Sequence, residues 1–401
     1  MEISASSPEN ALIRRDPRAV ALLLAATLTV MAAATISPAL PGLQQQFPAT
    51  DSNAFLIRLL VPAPSIAVVL TAAICGRIAD RRGRRRMLLA GVVLYALAGS
   101  LGALLTDLHM LLASRLILGI ALATIMTAQS ALMGDYFTGD RLQALSGAQV
   151  SARNLGGLLF ITLAGFLAMI SPRLPFAIYA LPALLLPFFW RVIVEVQRSH
   201  GTSTAPLPEP QGWRLRVRLL ALGQVAVTVV FFTMPTQLPF YLEFRGYPSP
   251  AMTGAALGMM MLAGGIAGLR YSAICGRIGH ARVWAVAFGL MAAGFAALAG
   301  ASGFATVLAG AASIGAGYAL AIPGLISLSL AATPAHRRGW TGARLTIAAF
   351  LGQFLSPFAS MPALVQWGWQ ACAGGLALAL SGAALLALLL KPRTMAAPTG
   401  T

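Results

Sequence analysis

The sequence predicts an all-α membrane protein with about twelve transmembrane helices, arranged as two parallel six-helix repeats around a central cavity. Three observations support this fold class. The chain of 401 residues is 58% hydrophobic and only 10% charged, which is too little polar surface to cover a soluble globule. Its apolar residues form long stretches with few charges, and features of the first half recur in the second.

Twelve apolar stretches are long enough to cross a bilayer. A hydrocarbon core of about 30 Å requires roughly 20 residues of helix. Lipid offers no hydrogen-bonding partner to backbone groups, and no alternating strand pattern is visible, so each stretch is expected to be helical. The predicted spans are residues 19–41, 54–77, 87–106, 110–133, 143–170, 175–195, 216–241, 250–277, 282–300, 304–330, 340–363 and 371–390.

Positive charges are concentrated in the loops on one side of these spans. The loops on the other side hold only Arg173 and Arg245. Because basic loops stay in the cytoplasm, both termini are expected to be cytoplasmic and the chain is expected to lie in the inner (cytoplasmic) membrane. The same placement accounts for the formal net charge of +17 without a nucleic-acid partner.

The two halves of the chain repeat in parallel. Residues 73–78 read Ala-Ile-Cys-Gly-Arg-Ile, and the same six residues recur at 273–278. Equivalent spans keep the same orientation, which is typical of a parallel repeat. The predicted organisation is a tail (1–18), a six-helix bundle (19–195), a polar, proline-containing linker (196–215), a second six-helix bundle (216–390) and a tail (391–401).

The second and third spans are joined by a short and strongly basic turn. Six of the ten residues 77–86 are arginine. The pattern G-x-x-x-D-R-x-G-R is matched by Gly76, Asp80, Arg81, Gly83 and Arg84. This turn resembles the signature between the second and third helices of major facilitator superfamily transporters. With its twelve spans, the whole chain is similar to bacterial members of that superfamily, closest in pattern to drug and metabolite exporters.

The resemblance implies a gating role for the signature. Its acid, Asp80, would hold the cytoplasmic faces of the two bundles together in the outward-open state. Arg81 and Arg84 would tie it to an acid at the end of the fourth span, Asp135 or Asp140. The first glycine of the signature would allow close backbone approach and the second a tight turn. The alternative is that the arginines of the turn only anchor the topology.

Ionisable side chains inside the spans are candidates for a solute-binding cavity. Arg153 is the deepest arginine, at about 15 Å by helical rise, and Arg115 matches an arginine that the resemblance associates with exporters. Arg58, Arg270 and Arg344 lie near helix ends, where snorkelling to water is an equal alternative. The candidate cavity residues are Arg115, Gln129, Arg153, Asn154, Gln237, Tyr318 and Gln353. For each, the alternative is a structural hydrogen bond to another helix or to a backbone carbonyl.

No acid or histidine lies near the middle of a span. The resemblance would place a proton-carrying aspartate shortly before the Pro-Ala-Leu-Pro at 38–41, but Ala32, Ala33 and Ala34 occupy those positions. Coupling to an ion is therefore left open. No cluster suited to catalysis, a cofactor or a metal ion is visible, so an enzyme is not predicted.

The resemblance implies a monomeric secondary transporter that moves a small organic solute across the lipid bilayer by alternating access. A cationic cargo is disfavoured, because one like charge at 4 Å costs about 4 kcal/mol at an effective dielectric constant near 20. Export of an anionic or amphipathic metabolite or drug is the preferred interpretation. The alternatives are a solute-uptake permease and a non-transporting receptor with the same fold, since no residue pattern fixes the direction.

Overall fold

The computed structural model describes residues 16–195, 212–334 and 337–389. The side chains at positions 139, 140, 143 and 339 fall outside this description. Most of the predicted N-terminal tail and linker, and all of the C-terminal tail, therefore lie outside the described residues. Within the described ranges the chain is almost entirely helical and contains no strand.

The first half is made of long helices with short helical segments at their ends. Three of these segments are 3₁₀ helices, at Ser37–Ala39, Leu101–Ala103 and Leu174–Ala180. The α-helices are α1 (Pro17–Ala34), α2 (Leu40–Gln44), α3 (Asp51–Leu59), α4 (Ala63–Arg82), α5 (Arg84–Ser100), α6 (Leu108–Tyr136), α7 (Gly139–Ile170), α8 (Leu181–Leu184) and α9 (Leu186–Val192).

The second half consists of four long helices, two of which contain a sharp corner. They are α10 (Trp213–Phe244), α11 (Pro250–Ala299), α12 (Phe304–Ala331) and α13 (Arg338–Leu389). A helix of 50 residues, such as α11, would extend for about 75 Å, more than twice the thickness of a bilayer core. Each of the two longest helices is interrupted by one glycine with positive φ, Gly279 (78°) in α11 and Gly368 (75°) in α13.

These corners restore the predicted number of spans. In the described part of the chain, ten segments are long and apolar enough to cross a membrane. Two of them, α11 and α13, are divided by their glycine corners into two crossings each, so that the total is twelve. The predicted loops at 278–281 and 364–370 are therefore wrong in length, because a single left-handed glycine suffices to reverse the chain direction.

The second predicted span, residues 54–77, is wrong at both ends. Helix α3 ends at Leu59 and α4 begins at Ala63, because Pro62 and Pro64 cannot donate the backbone hydrogen bonds that a continuous helix requires. At the other end, α4 continues through the first arginines as far as Arg82.

The basic turn is a helix corner rather than a loop. Only Gly83 is non-helical between α4 and α5, with φ 96° and ψ 138°. A Cβ atom at this position would lie 2.8 Å from a carboxylate oxygen of Glu195. The backbone conformation therefore requires glycine, and a side chain here would also displace the Glu195 carboxylate. We call the end of the bundle that carries Gly83 the arginine-rich end, and the other end the opposite end.

Each half has its own apolar core. The two cores exchange a few residues across the interface, since Ile161 packs with the second core and Phe350 with the first. Representative buried residues of the first core are Leu22, Val92, Leu118 and Phe176, and those of the second are Met234, Leu257, Met291 and Ile314.

Small residues bring the two halves together along α7 and the first part of α11. A Cβ atom at Gly254 would lie only 3.0 Å from the Cα atom of Gly165. Lipid tails are as apolar as leucine, so helix association in a membrane depends on close packing of this kind rather than on transfer out of water. This seam places the middle of α7 next to the second half.

Candidate functional site

At the opposite end, hydrogen bonds join the two halves. The hydroxyl of Ser37 donates to the carbonyl oxygen of Pro235, and Gln45 Nε2 donates to Glu243 Oε1 at 3.1 Å. In both pairs the partners are 198 residues apart, close to the offset of 200 between the repeated residues 73–78 and 273–278. The contacts therefore join corresponding regions of the two repeats.

Arg58 crosses the interface at this end instead of extending into water. Its Nε donates to Gln237 Oε1 at 3.0 Å, and its guanidinium lies 3.7 Å from the centroid of the Phe240 ring. Its Nη1 donates to the carbonyl oxygen of Ala54 at 2.9 Å and to Gln44 Oε1 at 3.3 Å. One arginine thus links α3 and the end of the first span to α10 of the second half.

Two of the predicted cavity residues, Gln237 and Gln353, also make hydrogen bonds at or near the interface between the halves. Gln237 is buried, and besides accepting from Arg58 it donates to Ser360 Oγ at 3.0 Å. Gln353 Oε1 accepts a hydrogen bond from Ser65 Oγ at 2.6 Å, between α13 and α4. Together with Arg58, these amides add polar contacts at and near the interface between the two halves.

Two other predicted cavity residues, Arg115 and Gln129, lie inside the first half. The Arg115 side chain is fully buried, donates to the carbonyl oxygen of Gly99 at 2.8 Å and lies 4.7 and 4.6 Å from the ring centroids of Phe176 and Tyr179. Gln129 is also buried and donates to a backbone carbonyl of α1. The structure therefore places both inside one bundle rather than between the halves, because α6 turns these side chains toward α5 and α1.

Arg153 lies on the inward face of α7. Leu155 and Leu159 are 63% and 62% exposed, and at about 100° per residue they lie on the side of the helix opposite Arg153. Gly157, one turn after Arg153 on the same face, packs against Met261 of α11. The Nε of Arg153 is buried and has no hydrogen-bond partner among the described residues.

Asn154 places this part of α7 against both α11 and α12. A Cβ atom at Gly264 of α11 would lie 3.1 Å from the carbonyl oxygen of Gly315 in α12 and 3.7 Å from Oδ1 of Asn154. Tyr318 follows one turn after Gly315 on α12. Arg153 and Asn154 on α7 and Tyr318 on α12 thus lie on two helices that both pack against α11.

Tyr318 is half-buried and is held by groups of α10. Its ring stacks on Phe231, with centroids 3.9 Å apart and an interplanar angle of 16°. Its hydroxyl lies 3.4 Å from Thr228 Oγ1, a pair in which either oxygen can donate. The result is a rigid aromatic surface beside a phenolic hydroxyl, a combination suited to an amphipathic ligand.

The signature at residues 76–84 forms a charge network within the first half. Arg84 pairs with Asp135, donates to the carbonyl oxygen of Ala131 at 2.9 Å and lies 3.6 Å from Asp80. The Asp140 side chain lies outside the described residues, and Arg81 is exposed. The close contact expected at Gly76 is not present, because a Cβ atom there would meet nothing within 4 Å.

Sequence reasoning missed Glu195, which caps α5. Its Oε1 accepts from the backbone N–H of Arg84 at 2.7 Å, and its Oε2 accepts from that of Arg85 at 2.9 Å. Three arginines begin this helix, at the positive end of the helix dipole, where cations are unfavourable. The Glu195 carboxylate satisfies two free backbone amides and also offsets the positive charge of the arginines and the dipole. The available signal was Gly83 itself, which cannot supply a capping side chain.

A cavity of about 270 Å³ lies within the second half. It is predominantly apolar, is formed by α10, α11 and α13, and contains none of the predicted cavity residues. In the described ranges, no group of three or more His, Cys, Asp or Glu residues is arranged to hold a metal ion.

The comparison with known families decides the identity of this fold. A sequence model described as the Major Facilitator Superfamily matches residues 22–357, well over half of the chain. The chain belongs to the Major Facilitator Superfamily. As a member of this superfamily it is a multi-pass membrane protein, in keeping with its long apolar helices.

Solved structures of the superfamily share the fold along nearly the whole chain. A mutant of the nucleoside transporter NupG superposes with a TM-score of 0.72 at 14% identity, covering 94% of this chain and 99% of that one. The human organic anion transporter MFSD10 (TETRAN) has a TM-score of 0.68 at 18% identity, covering 96% and 99%. At such identities the likeness concerns the fold alone.

Curated relatives within the superfamily are bacterial resistance proteins. The class D tetracycline resistance protein of Salmonella ordonez is 31% identical over 230 residues, or 54% of this chain and 58% of the relative. The class H protein of Pasteurella multocida is 30% identical over 193 residues, 48% of each chain. Multidrug resistance protein 2 of Bacillus subtilis (strain 168) is 28% identical over 149 residues, 36% and 37%. The chain thus spans about half the length of the curated relatives it matches.

Proposed function

We propose that this superfamily member exports an anionic or amphipathic small molecule across the inner membrane by alternating access, acting as a monomer. Residues 19–195 and 216–390 form the two moving bundles, and residues 196–215 link them. The arginine-rich end and both termini face the cytoplasm, because basic segments are retained on that side. The solute binds between the bundles, at a site that opens alternately to the two sides of the membrane.

Arg153 is the observation that carries the choice of cargo. Its side chain is half-buried on the face of α7 that packs against α11, and its buried Nε has no hydrogen-bond partner among the described residues. A charge in this position is costly unless a partner compensates it. A carboxylate can accept two parallel hydrogen bonds from a guanidinium, whereas a cation would be repelled.

The remaining groups of the proposed site are Asn154 and Tyr318. Gln237 and Gln353 close the site toward the outside in this conformation. Arg115 and Gln129 are left out because they lie within the first bundle, where Arg115 donates to Gly99 and packs against two aromatic rings and Gln129 donates to α1. The Nε and Nη1 of Arg115 also have no hydrogen-bond partner among the described residues. The names of the curated relatives, which refer to tetracycline and multidrug resistance, support efflux rather than uptake.

Asp80 is proposed to act as a latch at the cytoplasmic end. In this structure its carboxylate is half-exposed and lies beside Arg84. In the outward-open state it would engage the arginine-rich start of α13 in the second half, so that the cytoplasmic ends of the two bundles close together. Arg338, in the first turn of that helix, would provide the opposing charge.

The test is binding and transport of organic carboxylates by the purified protein. Candidate carboxylates are ranked by thermal stabilisation, with tetraphenylphosphonium as the cationic reference. The Kd of the best carboxylate is then compared between the wild type, Arg153→Lys and Arg153→Gln. Arg141→Gln is the control, because it removes an exposed arginine at the start of the same helix.

Arg153→Gln is expected to bind the carboxylate at least tenfold more weakly, and the control is expected to bind it unchanged. Arg153→Lys is expected to lose less affinity than Arg153→Gln, because lysine keeps the charge but not the planar guanidinium. Tenfold corresponds to about 1.4 kcal/mol. Unchanged binding in both Arg153 variants, or tetraphenylphosphonium as the tightest ligand, would refute the proposed cargo. Counterflow into vesicles of each orientation then separates export from uptake, and a ligand that binds without flux would indicate a receptor.

A further inference from the structure

A basic cavity opens at the arginine-rich end of the second half, away from the proposed transport site. Its volume is about 240 Å³, and it lies between the beginning of α10 and the beginning of α13. The residues that line it are Trp213, Arg214, Arg218, Arg337, Trp340 and Arg344. Neither the transport cycle nor the latch requires a cavity of this shape.

Two tryptophans form the apolar walls of this cavity. The rings of Trp213 and Trp340 meet edge to face, with centroids 5.5 Å apart. The guanidinium of Arg344 lies 3.8 Å from the centroid of the Trp340 ring, and that of Arg214 lies 5.6 Å from the centroid of Trp213. Stacking on a ring fixes the plane of a guanidinium while its N–H edges remain available to an acceptor.

The charge of the lining has one sign. Among the described residues that line the cavity, four of six are arginines and none is an acid. Arg214 and Arg337 have further partners, but the like charges still repel one another across a small space. The cavity also lies at the N-terminal ends of two long helices, where the backbone favours an anion.

The size and the chemistry together select the ligand. A cavity of about 240 Å³ is smaller than the sites of drug-sized molecules, which are roughly 300–1,000 Å³, but it has room for a phosphate group and a few waters. Planar guanidinium groups bind phosphate oxygens in pairs. We propose that this cavity binds a phosphate group, carried by the headgroup of an anionic lipid or present as free phosphate.

The surroundings of the cavity make a lipid the first source to test. Leu215 and Leu219 are exposed on α10 beside the lining residues Arg214 and Arg218. An acyl chain lying along these leucines would continue from a headgroup held in the cavity. Basic pockets between membrane helices on the cytoplasmic side are known to hold anionic headgroups.

The proposal is tested by thermal unfolding of the full-length protein in detergent. Three additives are compared: dioleoyl phosphatidylglycerol, inorganic phosphate, and dioleoylglycerol, which has the acyl chains but no phosphate. The cavity variant carries Arg218→Gln and Arg344→Gln. The control carries Arg216→Gln and Arg277→Gln, which remove two exposed arginines outside the cavity.

The expected result is that phosphatidylglycerol raises the unfolding temperature of the wild type and the control by several degrees, and that of the cavity variant by less than half as much. If inorganic phosphate alone reproduces the shift, the ligand is free phosphate and the site still stands. An equal shift in all three proteins, or the same shift with dioleoylglycerol, would overturn the proposal.

A second measurement covers the case in which the cavity variant does not fold. Bromine atoms quench tryptophan fluorescence at short range, so dibrominated phosphatidylglycerol is expected to quench the wild-type protein more strongly than dibrominated phosphatidylcholine. The excess quenching is expected to vanish when Trp213→Phe and Trp340→Phe are combined. Equal quenching by the two lipids in the wild type would count against an anionic-lipid site.

Discussion

Gly83 has a backbone conformation and a neighbour that together exclude a side chain. Its φ of 96° lies where L-residues are rarely found, and the Glu195 carboxylate occupies the space of a Cβ atom. Gly76, seven residues earlier in the same signature, is helical, and a Cβ atom there would meet nothing. The two glycines of one motif therefore have different structural roles in this conformation.

Gly83→Ala is expected to destabilise the protein, whereas Gly76→Ala serves as the matched control. Backbone strain at such a position costs about 1–3 kcal/mol, and displacement of Glu195 adds to it. Thermal unfolding in detergent is expected to show a clear decrease in melting temperature for Gly83→Ala and little change for Gly76→Ala. An equal decrease in both variants would contradict this assignment.

The arginines show how far the sequence alone could predict the site. Apolar length locates Arg58, Arg115 and Arg153 along their helices, but it does not give the rotation of each helix about its axis. That rotation is set by packing, which turns Arg115 into the first bundle, Arg58 across the interface and Arg153 toward the interior. Glu195 could not be predicted, because its partners lie 110 and 111 residues earlier in the chain.

At the scale of single elements, α5 depends on a carboxylate that it does not itself contain. Glu195 accepts hydrogen bonds from its first two backbone amides. The same residue directly precedes the predicted linker between the halves. The start of α5, and with it the signature at residues 76–84, is thus attached to the segment that leads into the second half.

Glu195→Gln is expected to loosen the first turn of α5. A capping interaction contributes about 0.5–2 kcal/mol, so hydrogen exchange of the amides at Arg84 and Arg85 is expected to accelerate at least threefold. Glu243→Gln, at the opposite end, is the control and is expected to leave these amides unchanged. Unaltered exchange in Glu195→Gln would indicate that the carboxylate does not stabilise the helix start.

The helices could be predicted more completely than their ends. Hydrophobic length gave all twelve spans, because the bilayer imposes that length. The corners depend on single residues, Gly83, Gly279 and Gly368, and the break before α4 depends on Pro62 and Pro64. A polar interruption in the sequence marks the neighbourhood of a corner but not the residue at which the helix stops.

For the whole molecule, the proposed alternating access requires the contacts at the opposite end to break. Gln45 and Glu243 hold that end together. Replacing both by cysteine and joining them with a short cleavable thiol crosslinker is expected to stop transport, and cleavage is expected to restore it. The single variant Gln45→Cys, treated in the same way, is the control. Undiminished flux in the crosslinked protein would show that this end need not open.

Substitutions at the two ends are expected to shift the conformational population in opposite directions. Arg58→Gln removes a bridge that closes the opposite end, whereas Asp80→Asn removes the proposed latch of the outward-open state. The reporter is a cysteine at Gln353, labelled by a membrane-impermeant reagent from outside in a protein without other cysteines. Labelling is expected to accelerate at least twofold in Arg58→Gln and to slow in Asp80→Asn. Changes of the same sign would refute opposed roles.

The hydrogen bonds between positions 198 residues apart have a further consequence. In a symmetric dimer, a contact between residues i and j is repeated between j and i, so one substitution changes both contacts. Here the two halves belong to one chain, and each contact occurs once, a hydroxyl with a carbonyl and an amide with a carboxylate. The strength of the contacts at the opposite end can therefore be adjusted by changing one half alone, which no homodimer can do.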